Sequence, residues 1–353
     1  MVRVGILGAT GAVGQKFVQL LDSHPWFVVT ALAASERSAG KRYEEAANWI
    51  ESTPMPEWAK DMIVQPTAPG LDCDVVFSGL PAAQADEAEP AFANAGYGVI
   101  SNARSYRMKA DVPLLIPEVN PDHIKLIDQQ TYEHDGFIVT NPNCSTVGLV
   151  VALRPLFDQF GIEALHVTTM QAVSGAGYPG VPSLDILGNV VPYIGGEEEK
   201  VQTEPLKLLG TLRDEGVVPA EFGISAQCNR VPVLNGHLEC VSIKLRTPAT
   251  VDDVREAFAG FTPPISDLPS LPNPVLEVFD DPRFPQPRRH AELGRGMTVS
   301  VGRIRECELL DFKFVVLSHN TVRGAAGGAL LNAELLLKEG YLERVLSEGI
   351  VRG

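Results

Sequence analysis

Apolar positions open the chain as a short run, Val2, Val4, Ile6 and Leu7, which predicts a buried strand. The period then changes. After Gly8-Ala9-Thr10-Gly11-Ala12-Val13-Gly14, the residues Val13, Phe17, Leu20 and Leu21 recur at helical spacing along one face. Further apolar runs over Val28 to Ala34, Asp74 to Phe77, Gly98 to Ser101, Leu114 to Ile116 and Phe137 to Thr140 predict strands, and an alanine-rich helix is expected over Ala82 to Ala95. Strands alternating with helices predict a parallel, doubly wound sheet covered on both faces, closing near residue 143.

Beyond that point the pattern shifts. A helix is expected from the cysteine turn through Leu153 and Leu156 to Phe157, then a strand over Ala164 to Val173. Glu197-Glu198-Glu199-Lys200 opens another helix running through Leu206 and Leu209. Gln227 to Val233 and Leu238 to Leu245 alternate like paired antiparallel strands and read as one hairpin. Thr262 to Pro274 is a proline-rich loop, and Met297 to Arg305 and Asp311 to Ser318 are further strands. A long amphipathic helix follows Asn320 to Gly328, ends near Glu339 and is expected to pack back on the first domain. The fold class is therefore α/β: a Rossmann-like domain over 1–143 and 320–353, and an α+β domain over 144–319 with a mixed, largely antiparallel sheet.

Composition narrows the function. The 353 residues are 45% hydrophobic and 21% charged, ordinary for a globular chain of two domains. A net charge of -15 with no basic tract argues against nucleic acid and anionic membranes as partners. An anionic substrate would have to be met by a few locally placed cations. Five cysteines at 73, 144, 228, 240 and 307, with no C-x-x-C pair, point away from disulfides and zinc and towards a reducing cytoplasm. No apolar run is long enough to span a bilayer, and no metal site is expected.

Two stretches carry chemistry. Strand, glycine turn and helix at the start form the context of a dinucleotide site, although glycines at 8, 11 and 14 depart from the usual G-x-G-x-x-G spacing. The second strand ends in Ser35-Glu36-Arg37-Ser38, with Lys41 beyond, where an NAD site would place an acidic residue for the ribose. Hydroxyls and cations there suit a 2′-phosphate, so NADP is expected, with Glu36 turned away. The other stretch is Asn141-Pro142-Asn143-Cys144-Ser145-Thr146. Pro142 cannot extend a strand, and Asn143, Ser145 and Thr146 are all good N-cap residues. Cys144 then sits at the first turn of a helix, where unpaired N–H groups and the dipole favour a thiolate. Among the histidines at 24, 123, 134, 166, 237, 290 and 319, most read as solvated. His237 stands apart because Arg230 lies on the neighbouring segment.

In Gly8 to Gly14, Asn143-Cys144-Ser145-Thr146, Gln171 with Ser174-Gly175-Ala176-Gly177, Glu197 with Lys200, Arg230 with Gly236-His237, and Asn320-Thr321-Val322-Arg323-Gly324-Ala325-Ala326, the chain resembles aspartate-semialdehyde dehydrogenase, in the branch typical of archaea and fungi. The resemblance runs end to end. It implies reductive dephosphorylation of L-aspartyl 4-phosphate by NADPH to L-aspartate 4-semialdehyde, a step towards lysine, threonine and methionine, in a homodimer or homotetramer. It also implies roles: Cys144 as nucleophile, His237 as general acid/base and Gln171 as the group that positions the acyl carbon. Arg230 would take the α-carboxylate and Glu197 the ammonium, with Arg107, Lys200 and Asn143 receiving the phosphate. Gly8, Thr10, Gly11, Ala12, Val13 and Gly14 would hold the dinucleotide, Ser35, Arg37 and Ser38 its 2′-phosphate, and Ser174, Gly175 and Asn320 the nicotinamide end. Malonyl-CoA reductases of the same fold share the Ser174 to Gly180 loop but have no need of a phosphate set. N-acetylglutamyl-phosphate reductase is a more distant relative. A nucleotide-binding redox sensor without turnover would explain the glycine turn and the cysteine, but not Arg230, His237, Glu197 and Lys200 together.

Overall fold

The computed structural model describes residues 1–346; positions 347–353 of the expected 320–353 span lie outside the described residues. The chain divides into two compact units, one of Met1–Leu115, Asp122–Asn141 and the chain from Ala326, the other of Ile116–Pro121 and Pro142–Ala325.

The first unit holds a fully parallel six-stranded sheet: β1 (Val2–Leu7), β2 (Phe27–Ala34), β3 (Gln65–Pro66), β4 (Val75–Ser78), β5 (Gly98–Ser101) and β6 (Phe137–Thr140), in the order β3-β2-β1-β4-β5-β6. Leu114 makes only an isolated bridge to Thr140, so the strand expected at Leu114 to Ile116 is not formed. Strands β1, β4, β5 and β6 are buried almost without a break, as the sequence of continuous apolar runs requires in a sheet covered on both faces. Phe17 of the first helix (Ala12–Leu20) stacks on Phe77 at 4.8 Å between ring centres, locking helix to sheet. The strand order reverses between β1 and β4, which is where sheets of this kind open a ligand crevice at their carboxyl ends. The C-terminal helix (Gly327–Lys338) also belongs to this unit. It is not amphipathic: every residue from Gly327 to Leu336 is buried, because its Gly, Ala and Leu composition leaves no polar face to expose.

The second unit is built on a mixed sheet of β7 (Ile162–Gln171), β10 (Gly223–Arg230), β11 (His237–Leu245), β12 (Leu276–Phe279), β13 (Val299–Glu306) and β14 (Phe312–Ser318), in the order β10-β7-β11-β14-β13-β12. A small ribbon, β8 (Thr211–Arg213) with β9 (Gly216–Val218), stands apart from it. The expected hairpin of β10 and β11 does not exist. Strand β7 lies between them, parallel to β10 and antiparallel to β11. Residues 231–236 therefore cross over the end of β7 instead of closing a tight turn. The cysteine helix (Cys144–Phe160) packs on this sheet so closely that a Cβ at Gly148 would lie 2.3 Å from Ser318 Oγ. Along β7 and β11 burial alternates, with Thr169, Gln171, His237 and Glu239 inward and His166 and Cys240 outward.

Candidate active site

Sheet register explains how the central side chains meet. Arg230 pairs with Gln171 across β10 and β7, while Leu238 pairs with Met170 and His237 with Ser318 across β11. A row of inward side chains thus crosses the sheet at one level: Arg230, Gln171, His237, Ser318. The cysteine helix points its N-terminus at that row. Asn143 is its N-cap, with Oδ1 accepting from the N–H groups of Ser145 at 2.9 Å and Thr146 at 3.2 Å. Caps of this kind are worth about 1 kcal/mol. Cys144 follows as the first helical residue, half-buried, with Sγ 3.2 Å from His237 Nε2.

His237 is fully buried, and its tautomer follows from one hydrogen bond. The N–H of Ala172 donates to Nδ1 at 3.0 Å, so the neutral ring carries its proton on Nε2, facing the sulfur. Burial, reinforced by the charge of Arg230 and by His319, pulls the imidazole down to about 3, so it is neutral at pH 7. Arg230 is buried too and donates from Nη1 to the Ala172 carbonyl at 2.8 Å; burial lowers its pKa against the pull of Cys144 and Glu197. The loop over Ser174 and Gly175 closes tightly on both groups. A Cβ at Gly175 would lie 2.8 Å from Arg230 Nη1 and 3.2 Å from His237 Nε2. Asn320 ties the loop down, donating to Ser174 Oγ at 2.8 Å and accepting from the N–H of Gly236 at 2.9 Å.

Glu197 opens the acidic helix (Glu197–Leu208) and sits at the hub of the polar contacts. It accepts from Asn143 Nδ2 at 2.7 Å and Gln171 Nε2 at 3.1 Å, and pairs with Lys200. Burial pushes this carboxyl up, but the Lys200 charge and the three hydrogen bonds together hold it below its ordinary value. Glu239, one step behind His237 on the same strand face, is its opposite. It is buried with neither carboxyl oxygen hydrogen-bonded, and burial followed by the Glu197 charge raises it well above the usual carboxylate range. The two carboxyls thus shift in opposite directions, because only Glu197 has a cation and hydrogen-bond donors beside it. Glu239 is neither a surface charge nor the group that orients the imidazole; the Ala172 amide does that.

Cys144, His237, Gln171, Arg230, Glu197, Lys200, Asn143, Ser174, Gly175 and Asn320 all belong to the second unit. Gly8 to Gly14, Ser35, Arg37, Ser38 and Arg107 belong to the first. There Gly8 takes φ +74°, and a Cβ on Gly14 would lie 2.2 Å from the Gly8 carbonyl, so only glycine lets the helix start this close to the strand. No side chain caps that helix at Gly11, so no side-chain oxygen takes up its first N–H groups. Ser35, Glu36 and Arg37 are exposed at the end of β2. Arg107 is buried and donates to the Asn102 carbonyl at 2.8 Å. Three histidines expected in solvent are buried, because partners distant in sequence receive two of them: His24 with Glu334 and His319 with Glu292, while His123 lies in the core.

Gly324 lies in the Asn320 to Ala326 motif, where no role was expected of it, and it packs directly on the cysteine turn. A Cβ on Gly324 would lie 2.7 Å from Cys144 Cβ and 2.8 Å from its Cα. Gly324→Ala is expected to push the cysteine turn aside and cut turnover by about 10- to 100-fold, with nucleotide affinity retained. Steady-state kinetics beside nucleotide titration checks this; unchanged turnover would mean the turn yields freely.

Three comparisons bear on the arrangement. A family model for the semialdehyde dehydrogenase NAD binding domain matches residues 3–127, and one for the semialdehyde dehydrogenase dimerisation domain matches residues 153–323. Aspartate-semialdehyde dehydrogenase of Archaeoglobus fulgidus is 52% identical over 339 residues, covering 95% of this chain and 98% of its own. The enzyme of the same name from Methanothermobacter thermautotrophicus is 54% identical over 345 residues, covering 95% and 99%. The crystal structure of aspartate semialdehyde dehydrogenase with NADP from Candida albicans aligns with a TM-score of 0.90 at 46% identity, covering 97% of this chain and 99% of that one.

Proposed function

Since the chain belongs to the aspartate-semialdehyde dehydrogenase family of NADP-dependent oxidoreductases, we propose that its Cys144 site carries out reductive dephosphorylation of L-aspartyl 4-phosphate. The observation that carries this reading is Sγ of Cys144 at a helix N-terminus, 3.2 Å from a histidine nitrogen whose proton faces it, with Arg230, Gln171 and Glu197 around it.

The chemistry follows from the geometry. The helix N-terminus and the Nε2–H of His237 both favour Cys144 as thiolate. The thiolate attacks the acyl carbon, the C–O bond to phosphate breaks, and phosphate leaves with the electron pair. A thioester on Cys144 remains, and a thioester accepts hydride far more readily than a carboxylate does. NADPH, when bound, supplies that hydride. The resulting oxyanion collapses to the aldehyde, the C–S bond breaks, and the thiolate returns to the Nε2–H. Overall one proton is consumed and ends on phosphate. Full proton transfer from His237 needs the imidazolium, which burial and Arg230 disfavour until an anionic substrate arrives. Arg230 suits the α-carboxylate bidentately, Glu197 the ammonium and Lys200 the phosphate. In the first unit, Gly8 to Gly14 suit the pyrophosphate, and Ser35, Arg37 and Ser38 the 2′-phosphate.

The match to a dimerisation domain supports self-association, as a homodimer or homotetramer. Among the described residues no helix is long and apolar enough to cross a membrane, and the five free cysteines fit a reducing cytoplasm.

The deciding assay runs NADP reduction with aspartate semialdehyde and phosphate beside NADPH oxidation with malonyl-CoA. The semialdehyde reaction is expected to be faster by orders of magnitude. A dominant malonyl-CoA rate would reassign the substrate.

A further inference from the structure

In a capping box, the residue at the third helical position turns its carboxylate back onto the N–H of the N-cap. The cysteine helix lacks this half of the device. Its third residue is Thr146, whose Oγ1 lies 3.5 Å from Asn143 Oδ1 and supplies no carboxylate. The acceptor comes from another helix instead. The Asn143 N–H donates to Oε2 of Glu204 at 2.7 Å in a buried contact. Glu204 lies two turns after Glu197 on the same face of the acidic helix, and Glu197 takes the side-chain N–H of the same asparagine at 2.7 Å. One helix thus grips the residue before the cysteine twice, once by its backbone and once by its side chain. Pro142, the residue before, has no N–H to offer in exchange.

We propose that Glu204 is a positioning residue for Cys144: it completes the capping box from a separate helix and so fixes the direction in which the sulfur meets His237. The inference rests on the reading of Cys144 as nucleophile. Without Glu204 the buried N–H of Asn143 has to rotate to find a partner, because a buried amide left unpaired is costly. That rotation passes through one Cα to the cysteine, and displacing a reacting atom by about 1 Å costs on the order of 100-fold in rate.

The test compares Glu204→Leu with Glu204→Gln in the full-length protein with NADP. The measurements are kcat, KM for aspartate semialdehyde, and the rate of Cys144 alkylation by iodoacetamide across pH. NADP affinity and the melting temperature serve as folding checks. Glu204→Leu is expected to lower kcat by about 10- to 100-fold with a much smaller change in KM, and to alter the alkylation profile. Glu204→Gln, whose amide oxygen still accepts, is expected to recover most of the loss. Should the leucine variant fail to fold, Glu204→Asp, with its oxygen withdrawn by one methylene, takes its place. Normal kcat and alkylation in the leucine or aspartate variant would overturn the positioning role, as would a glutamine variant equally impaired. Neither result touches the nucleophile reading, which fails only if turnover survives loss of the Cys144 thiol.

Discussion

Cys144→Ala is expected to abolish turnover, with a loss of at least about 10^4-fold, while NADP binds nearly as before. No other described group stands where Sγ does, at a helix N-terminus and 3.2 Å from His237 Nε2. The four remaining cysteines do not offer a substitute. Cys73 and Cys228 are buried in the core, and burial pushes the Cys228 thiol up to about 11. Cys240 lies on the outward face of β11, and Cys307, although backbone hydrogen bonds hold its thiol below the ordinary value, bonds to Asp311 beside Ile243, towards the end of β11 away from His237. Steady-state rates in the semialdehyde direction, measured beside a nucleotide titration, check the expectation. Turnover that survives would refute the covalent route and leave the nucleotide unit as the functional half, which is the redox-sensor alternative.

His237→Ala is expected to cost kcat about 10²- to 10⁴-fold, the usual worth of a positioned proton donor. His237→Gln, which can present an amide N–H towards the sulfur, is expected to lose less. The same residue shapes acid stability. Its folded pKa of about 3 lies below the ordinary histidine value, so between the two the unfolded chain binds more protons than the folded one. Its contribution is present at neutral pH and is lost as pH falls through that window. Denaturation midpoints at pH 7 and pH 5 should therefore diverge less in His237→Gln than in the native protein. Equal divergence in both would mean that the buried neutral imidazole is not what the folded state protects.

What could be read in advance was what local rules dictate. The glycine turn was visible because close approach of Gly14 to Gly8 admits no side chain, and Asn143 because N-caps draw from a short list of residues. Pairing between strands obeys no such rule. Pro232 and Asn235-Gly236 look like hairpin punctuation, yet β7, sixty residues earlier, fills the space between the two strands. The buried histidines escaped for the same reason, since Glu334 lies 310 positions from His24. Glu239 was half legible: it shares a face with His237, but that face of β11 continues inward as Val241, Ile243 and Leu245, so a carboxyl group there breaks the apolar phase of a half-buried strand. Glu204 carried no signal beyond its seven-residue spacing from Glu197.

The sheet order has a consequence for how activity is acquired. Gln171, Arg230 and His237 become neighbours only when β7 has been inserted between two strands that both follow it in the chain. Each contact closes a long loop before it is rewarded. A half-made molecule can own every reactive group and still be inert, so catalysis marks the completion of this sheet.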